Sequence, residues 1–276
     1  MSEPAKSTVE LLGQPLELSV SGSGRNILFL SAGVWLASDA AFAADLAKLG
    51  RVTAPAHPGF GKHDAGNHLT TADDLSYLYL DLIEHILADD KAAKDVTIVA
   101  ASLGAYVAAQ MAIKSCQRIA SLVLIGPMGV KAGNRDARDY VDLFAHAEPD
   151  LVKLAFTDPA RFQVDLTELP EAAVTDRIRA REALARFVWQ PYMHNPKLAR
   201  RLHRITAPTL LLRGADDRIV VPAVADMFAE NIPGARLEKI DRAGHLPHVE
   251  QPAATLAKIA KFLESLPAAA KKPAHR

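Results

Sequence analysis

Short apolar segments alternate with segments of helical spacing along most of the chain, and this alternation constrains the fold more than any other feature. The predicted buried strands are residues 51–54, 96–101, 119–125, 208–212 and 237–240. The predicted helices are residues 39–49, 71–87, 103–113, 222–230 and 253–263. Strand–helix alternation predicts an α/β fold with a mostly parallel sheet flanked by helices, in which ligands bind at the carboxyl ends of the strands.

Two regions depart from the alternation. Residues 9–12, 16–20 and 26–30 are strand-like and separated by turns, which predicts a meander leading into the sheet. Residues 126–206 contain helical patches at 138–145 and 174–188 but no clear strand, and roughly 80 residues are too many for an ordinary loop. We therefore expect a core domain of residues 1–127 and 204–265, a helical cap of residues 128–203, and a flexible tail of residues 266–276.

Composition excludes several classes of protein. Lys plus Arg and Asp plus Glu number 32 each, so the chain has no net charge that would attract nucleic acid or an anionic membrane. Its apolar runs are too short to cross a bilayer. The single Cys116 excludes an internal disulfide, and residues 1–11 lack the apolar stretch of a signal peptide. We expect a cytoplasmic protein whose partner is a small-molecule substrate; the oligomeric state stays open.

A serine lies where a predicted strand passes directly into a predicted helix. Ser102 is flanked by Ala100 and Gly104, and such a tight turn requires small residues at these two places. The turn exposes the serine at the sheet edge, at a helix N-terminus that favours developing negative charge. A helix-capping serine is the alternative interpretation, but the strand–turn–helix context favours a nucleophile.

A serine nucleophile requires a base and a group that orients the base. His245 lies in a loop between a predicted strand and a helix, beside Gly244, which allows a sharp bend. Asp216 and Asp217 follow another predicted strand, and either carboxylate could reach His245; we favour Asp217 and assign Asp216 to the turn. We therefore predict Ser102, His245 and Asp217 as a catalytic triad.

These motifs resemble the α/β-hydrolase superfamily. The order Ser, Asp, His along the chain is the one that this fold uses. Residues 214–222 (GADDRIVVP) resemble its acid loop, 243–252 (AGHLPHVEQP) its histidine loop, and 54–61 (APAHPGFG) the loop after its fourth strand. The resemblance covers residues 26–263 and implies an eight-stranded sheet with a helical cap inserted where residues 126–206 lie.

One departure from the family pattern concerns the loop after the third strand. Family members usually have His-Gly there, whereas this chain has Ser31-Ala32 followed by Gly33. By analogy, the oxyanion hole consists of the backbone N–H groups of Gly33 and Leu103. Loss of one such donor costs on the order of 10²–10³ in turnover, so the departure bears directly on activity.

A substrate pocket under the cap is predicted from large side chains. The candidates are Trp35, Phe144, Trp189, Tyr192 and Met193, and the last four could equally form the cap's own core. The chain has no His-Glu-x-x-His motif or phosphate-binding loop. We expect no metal and no cofactor.

These features predict a serine esterase that cleaves a small or medium carboxylic ester through an acyl-enzyme. One alternative is carbon–carbon bond hydrolysis of a dienoic ketone with the same triad, although Ala101 replaces the Asn that usually precedes the serine in that subgroup. An alternative of another class is a ligand-binding receptor or pseudo-enzyme on the same fold. Reaction of Ser102 with a fluorophosphonate probe distinguishes the enzyme from the binder.

Overall fold

The computed structural model describes residues 3–33, 36–90, 93–134 and 136–266 and contains an eight-stranded sheet. The strands are β1 (Ala5–Leu11), β2 (Gln14–Ser21), β3 (Asn26–Leu30), β4 (Arg51–Pro55), β5 (Val96–Ala101), β6 (Ile119–Ile125), β7 (Thr209–Gly214) and β8 (Arg236–Ile240). Their order is β1-β2-β4-β3-β5-β6-β7-β8. β2 pairs antiparallel with β1 and β4, and all other pairings are parallel. The predicted α/β fold and mostly parallel sheet are confirmed.

Helices cover the sheet. They are α1 (Leu36–Leu46), α2 (Ala72–Asp89), α3 (Leu103–Lys114), α4 (Glu148–Ala155), α5 (Glu171–Val188), α6 (Pro222–Asn231), α7 (Pro247–Glu250) and α8 (Pro252–Glu264). Thr71 and Asp74 form a capping box that starts α2. α2 packs on α3, while α1 packs on α7 and α8. No helix in the described ranges has the length and apolar character needed to cross a bilayer.

The strand order creates a crevice beside β3. β4 lies on one side of β3 and β5 on the other, so successive crossover connections diverge there. In open α/β sheets, ligands bind at the carboxyl end of such a switch point. Leu30 at the end of β3 pairs with Ala100 near the end of β5, which brings the loop of residues 31–33 next to Ser102.

The segment between β6 and β7 carries α4, α5 and short 3-10 helices. Arg186 of α5 donates from Nε to the carbonyl oxygen of Leu69 at 2.7 Å, and Phe187 stacks on Phe60 with ring centroids 6.4 Å apart. The segment is therefore held against the loop that follows β4. Its separation as a cap domain remains a prediction, and the predicted tail lies outside the described residues apart from Leu266.

The helix expected at residues 138–145 is wrong. This stretch consists of turns and extended backbone, with a bridge between Tyr140 and Val220. Buried Asp139 accepts hydrogen bonds from the N–H groups of Ala132 and Gly133, and Tyr140 Oη binds the backbone of Gly129 and Val130. Because buried polar side chains must be paired, these tertiary contacts outweigh the local helical pattern.

Candidate active site

Ser102 occupies a strained turn between β5 and α3. Its φ is 47° and its ψ is −110°, which is costly for a residue with a side chain, on the order of 1–3 kcal/mol. The neighbouring Gly104 makes the turn possible, because a Cβ at this position would lie 2.3 Å from the carbonyl oxygen of Leu30. The Ser102 N–H donates to the Ile125 carbonyl oxygen at 2.9 Å, which fixes the turn to β6. The backbone therefore holds the Ser102 hydroxyl at the carboxyl edge of the sheet.

The structure brings Ser102, His245 and Asp217 into one hydrogen-bonded chain. Ser102 Oγ lies 2.8 Å from His245 Nε2, and His245 Nδ1 lies 3.0 Å from Asp217 Oδ2. The three residues are 7%, 3% and 8% exposed, so little water competes for these bonds. Because a carboxylate can only accept, His245 carries its proton on Nδ1 and presents the lone pair of Nε2 to the serine hydroxyl.

Asp217 remains ionised in this setting. Burial by itself raises the pKa of its carboxyl group. The charge and hydrogen bond of His245 and the N–H groups of Val220 and Ile219 lower this pKa by more than burial raises it, so the net pKa is below the ordinary value. Asp217 Oδ1 accepts from these two N–H groups at 3.0 and 2.9 Å. Asp216 is exposed, and its carboxylate lies 3.5 Å from Thr157 Oγ1. Asp217 is thus the carboxylate that faces His245.

The histidine loop is held by the C-terminal end of α4 and by the residues that follow this helix. The His245 N–H donates to the Ala155 carbonyl oxygen at 2.8 Å. A Cβ at residue 244 would lie 2.2 Å from the same oxygen, so only Gly244 allows this approach. Glu250, 4% exposed, accepts from the N–H groups of Gly244 at 2.5 Å and Thr157 at 2.7 Å. The carboxylate of Glu250 thereby ties the two segments together.

We expect Glu250→Gln to destabilise the protein by about 1–3 kcal/mol, because the new amide group directs a donor at backbone N–H groups and leaves at least one unpaired. Thermal unfolding measures the effect, with exposed Glu264→Gln in α8 as the control. Equal melting temperatures for the two variants would contradict the bridging role of Glu250.

The loop after β3 and the start of α3 lie side by side. Gly33 has a φ of +83°, and a Cβ built on it would lie 3.1 Å from the Leu103 side chain. Within the described ranges, neither the Gly33 N–H nor the Leu103 N–H donates a hydrogen bond, whereas the N–H groups of Ala32 and Gly104 are already paired. Two neighbouring backbone donors therefore remain available beside Ser102.

Two further residues at the site escaped the sequence analysis. Met128 Sδ lies 3.6 Å from Ser102 Oγ, and the side chain is 4% exposed. Its position just after β6, the neighbour of β5, is the signal that could have identified it. His57, 1% exposed, places Nε2 3.0 Å from the Ser31 carbonyl oxygen and Nδ1 against Tyr79 Oη. Because a carbonyl only accepts, Nε2 carries the proton and Tyr79 donates to Nδ1.

Burial lowers the pKa of His57 below its ordinary 6.5, although the Ser31 carbonyl and the charge of Asp39 raise it in part. Below about pH 6.5 the unfolded chain therefore binds a proton that folded His57 does not. The free energy of unfolding consequently decreases as the pH is lowered through this window. We expect the melting temperature to drop between pH 7.5 and 5, and to drop less in His57→Gln. Exposed His203→Gln serves as the control and should retain the wild-type pH dependence.

The predicted pocket residues are not gathered at Ser102 by any contact that the structure gives them. Phe144, Trp189 and Tyr192 pack on one another with ring centroids 5.5–6.3 Å apart, and Trp189 is 59% exposed. Met193 is buried, and Trp35 lies outside the described residues. These contacts favour the interpretation of the aromatic residues as a cluster within their own segment. Across the described ranges, no group of three or more His, Cys, Asp or Glu side chains is placed to hold a metal ion.

Comparison with known proteins gives a consistent family. A curated hydrolase of Cupriavidus pinatubonensis, named 2-hydroxy-6-oxononadienedioate/2-hydroxy-6-oxononatrienedioate hydrolase, is 29% identical over 228 residues, covering 75% of this chain and 73% of the relative. A solved 2-hydroxy-6-oxo-6-phenylhexa-2,4-dienoate hydrolase of Rhodococcus superposes with a TM-score of 0.74 at 19% identity, covering 96% of this chain and all of that chain. A solved bacterial membrane phospholipase A superposes with a TM-score of 0.76 at 22% identity, covering 96% and 87%.

The family model described as alpha/beta hydrolase family matches residues 20–259, a span that includes β3 to β8 and Ser102, Asp217 and His245. The match covers well over half of the chain. This protein therefore belongs to the alpha/beta hydrolase family.

Proposed function

We propose that this protein is a serine hydrolase that cleaves small or medium carboxylic esters through an acyl-enzyme, with Ser102 as nucleophile, His245 as base and Asp217 as the orienting acid. The observation that carries the proposal is the continuous chain from Ser102 Oγ to His245 Nε2 at 2.8 Å and from His245 Nδ1 to Asp217 Oδ2 at 3.0 Å. Nucleophile, base and orienter at such distances are the requirement for activating a hydroxyl at neutral pH.

In the acylation step, Ser102 Oγ attacks the ester carbonyl carbon while its proton passes to His245 Nε2. The negative charge on the carbonyl oxygen is accepted by the N–H groups of Gly33 and Leu103. Collapse of the tetrahedral intermediate breaks the bond to the leaving alcohol, which takes the proton from His245. Asp217 stabilises the positively charged imidazole while it holds that proton.

In the deacylation step, a water molecule attacks the acyl group and transfers a proton to His245 Nε2. The second tetrahedral intermediate releases the carboxylic acid, and Ser102 regains its proton from His245. The overall reaction converts an ester and water into a carboxylic acid and an alcohol. These two steps require no cofactor.

We also propose that residues 128–203 act as a cap over this site, on the core domain of residues 1–127 and 204–265. Hydrogen bonds to two separate loops support the proposal. The Ala155 carbonyl oxygen holds the His245 N–H, and Arg186 binds carbonyl oxygens at residues 65, 66 and 69. The cap thus contacts both the histidine loop and the region after β4.

The second candidate is hydrolysis of a carbon–carbon bond in a dienoic ketone. It is favoured by the Cupriavidus pinatubonensis relative, whose name states hydrolysis of such compounds. Ala101 immediately before Ser102 argues for the ester, because the chain lacks the Asn that usually precedes the serine in that subgroup.

The test is a panel of p-nitrophenyl esters of increasing chain length, lactones and 2-hydroxy-6-oxo-dienoates, with fluorophosphonate labelling in parallel. We expect turnover of short- or medium-chain esters and labelling at Ser102. Faster cleavage of a dienoate than of any ester would replace the ester proposal by the carbon–carbon one. A folded protein that neither labels nor turns over any compound would favour the ligand-binding alternative.

A further inference from the structure

A buried histidine–aspartate pair lies outside the proposed triad. His248 of α7 places Nε2 2.6 Å from Asp39 Oδ1 of α1, and the two side chains are almost completely buried. The rings of Phe42 and Phe29 surround His248 edge-on, with centroids 5.1 and 6.4 Å away. Because a carboxylate only accepts, Nε2 of His248 carries a hydrogen and donates a hydrogen bond to Asp39.

The other oxygen of Asp39 reaches the loop after β3. Asp39 Oδ2 accepts the N–H of Ala32 at 2.8 Å, and this bond is buried. The carbonyl oxygen of Ser31, which belongs to the same peptide group, accepts from His57 Nε2 at 3.0 Å and from the Gly104 N–H at 3.1 Å. Both ends of the Ser31–Ala32 peptide group are therefore held, and the peptide plane cannot rotate without breaking buried hydrogen bonds.

This peptide group directly precedes the peptide that carries the Gly33 N–H, one of the two proposed oxyanion donors. We propose that Asp39 and His248 are positioning residues that orient the Gly33 N–H through Ala32, in a loop where Ser31-Ala32 replaces the usual His-Gly. The proposal rests on the function proposed above. His248 also follows His245 closely in the chain, so one short segment carries both the base and a support of the oxyanion loop.

Stability alone does not explain such a pair. Replacing both partners of a buried hydrogen bond by apolar groups of the same shape is often nearly neutral or stabilising. An orienting role explains why one oxygen of the Asp39 carboxylate accepts a hydrogen bond from the Ala32 N–H, beside the proposed oxyanion hole. Misplacing a catalytic group by about 1 Å costs on the order of 10² in rate, so a loosened peptide is sufficient for a measurable effect.

The test compares Asp39→Asn with Asp139→Asn, both measured as kcat per active site titrated with a fluorophosphonate. Asp139 is a matched control, because it is also a buried carboxylate that accepts backbone N–H groups and contacts no proposed catalytic residue. The Asn amide at residue 39 accepts from only one of its two partners. We expect kcat per site to fall about 10- to 100-fold with little change in KM, and affinity for an arylboronic acid that forms a tetrahedral adduct to fall in parallel.

A second pair of variants tests the role of His248 if Asp39→Asn does not fold. His248→Gln keeps a donor near the Nε2 position and should keep kcat per site within about 3-fold of wild type, whereas His248→Leu should lower it about 10-fold. A purely structural role lowers the titrated fraction and the melting temperature but leaves both kcat per site and the boronate affinity unchanged. That result, in either pair of variants, overturns the proposal.

Failure of the proposed function is distinguishable from failure of this inference. A wild-type protein without turnover or labelling refutes the function. An active wild type whose Asp39→Asn variant matches Asp139→Asn in kcat per site refutes only the positioning role.

Discussion

Ser102→Ala is expected to abolish ester turnover, with a fall in kcat of about 10⁴–10⁶-fold, and to eliminate fluorophosphonate labelling. The methyl group of alanine leaves His245 without a hydroxyl to activate, while the strained turn at φ 47° is tolerated equally by Ser and Ala. Initial rates with a p-nitrophenyl ester and intact-mass analysis after labelling measure both effects.

The control for this substitution is Ser115→Ala at the end of α3, where the hydroxyl accepts the Gln117 N–H. This variant should keep the wild-type rate and labelling. If Ser102→Ala hydrolysed the ester at the wild-type rate while remaining folded, Ser102 would have no part in the mechanism.

Asp217→Asn is expected to lower kcat by about 10⁴-fold with little loss of stability. The Asn Oδ1 can still accept from the Ile219 and Val220 N–H groups, so its amide NH₂ faces His245 Nδ1. The imidazole must then accept at Nδ1 and carry its proton on Nε2, where it can no longer take the proton of Ser102. Steady-state kinetics and thermal unfolding separate the catalytic effect from the structural one.

Asp216→Asn is the matched control, because the same chemical change is made at the adjacent exposed residue. It should retain nearly the full rate. A larger loss for Asp216→Asn than for Asp217→Asn would reverse the assignment of the orienting acid. Equal, small losses would remove the carboxylate from the mechanism.

Local sequence patterns located much of the fold. The observed strands Val96–Ala101 and Ile119–Ile125 have the predicted bounds, and α2 begins at the predicted capping box. Buried parallel strands are continuous apolar runs, and capping boxes join residues three apart, so both leave a signature within a few neighbouring positions. The same locality explains why Ser102, Asp217 and His245 could be selected, each from the loop that follows a strand.

The helix predicted at residues 138–145 failed for the opposite reason. The hydrogen bonds of buried Asp139 and Tyr140 outweighed its helical spacing. Their partners lie in the preceding loop and are Ala132, Gly133, Gly129 and Val130. The pocket residues show a related limit. The sequence identifies large side chains but does not indicate whether they line a cavity or pack on one another. Phe144 and Trp189 pack on one another.

The sequence by itself determined the order of the strands and of the longer helices that flank the sheet, because each depends on periodicity, turn chemistry and capping within short windows. Only the tertiary structure decided that Asp217 rather than Asp216 faces His245, that Met128 lies against Ser102, and that Asp39 and His248 hold the loop before Gly33. Asp39 and His248 are 209 residues apart. Contacts between residues so far apart in the chain form because the strand order places the loops at the carboxyl edge of the sheet next to one another. Patterns within a short stretch of sequence do not contain this information.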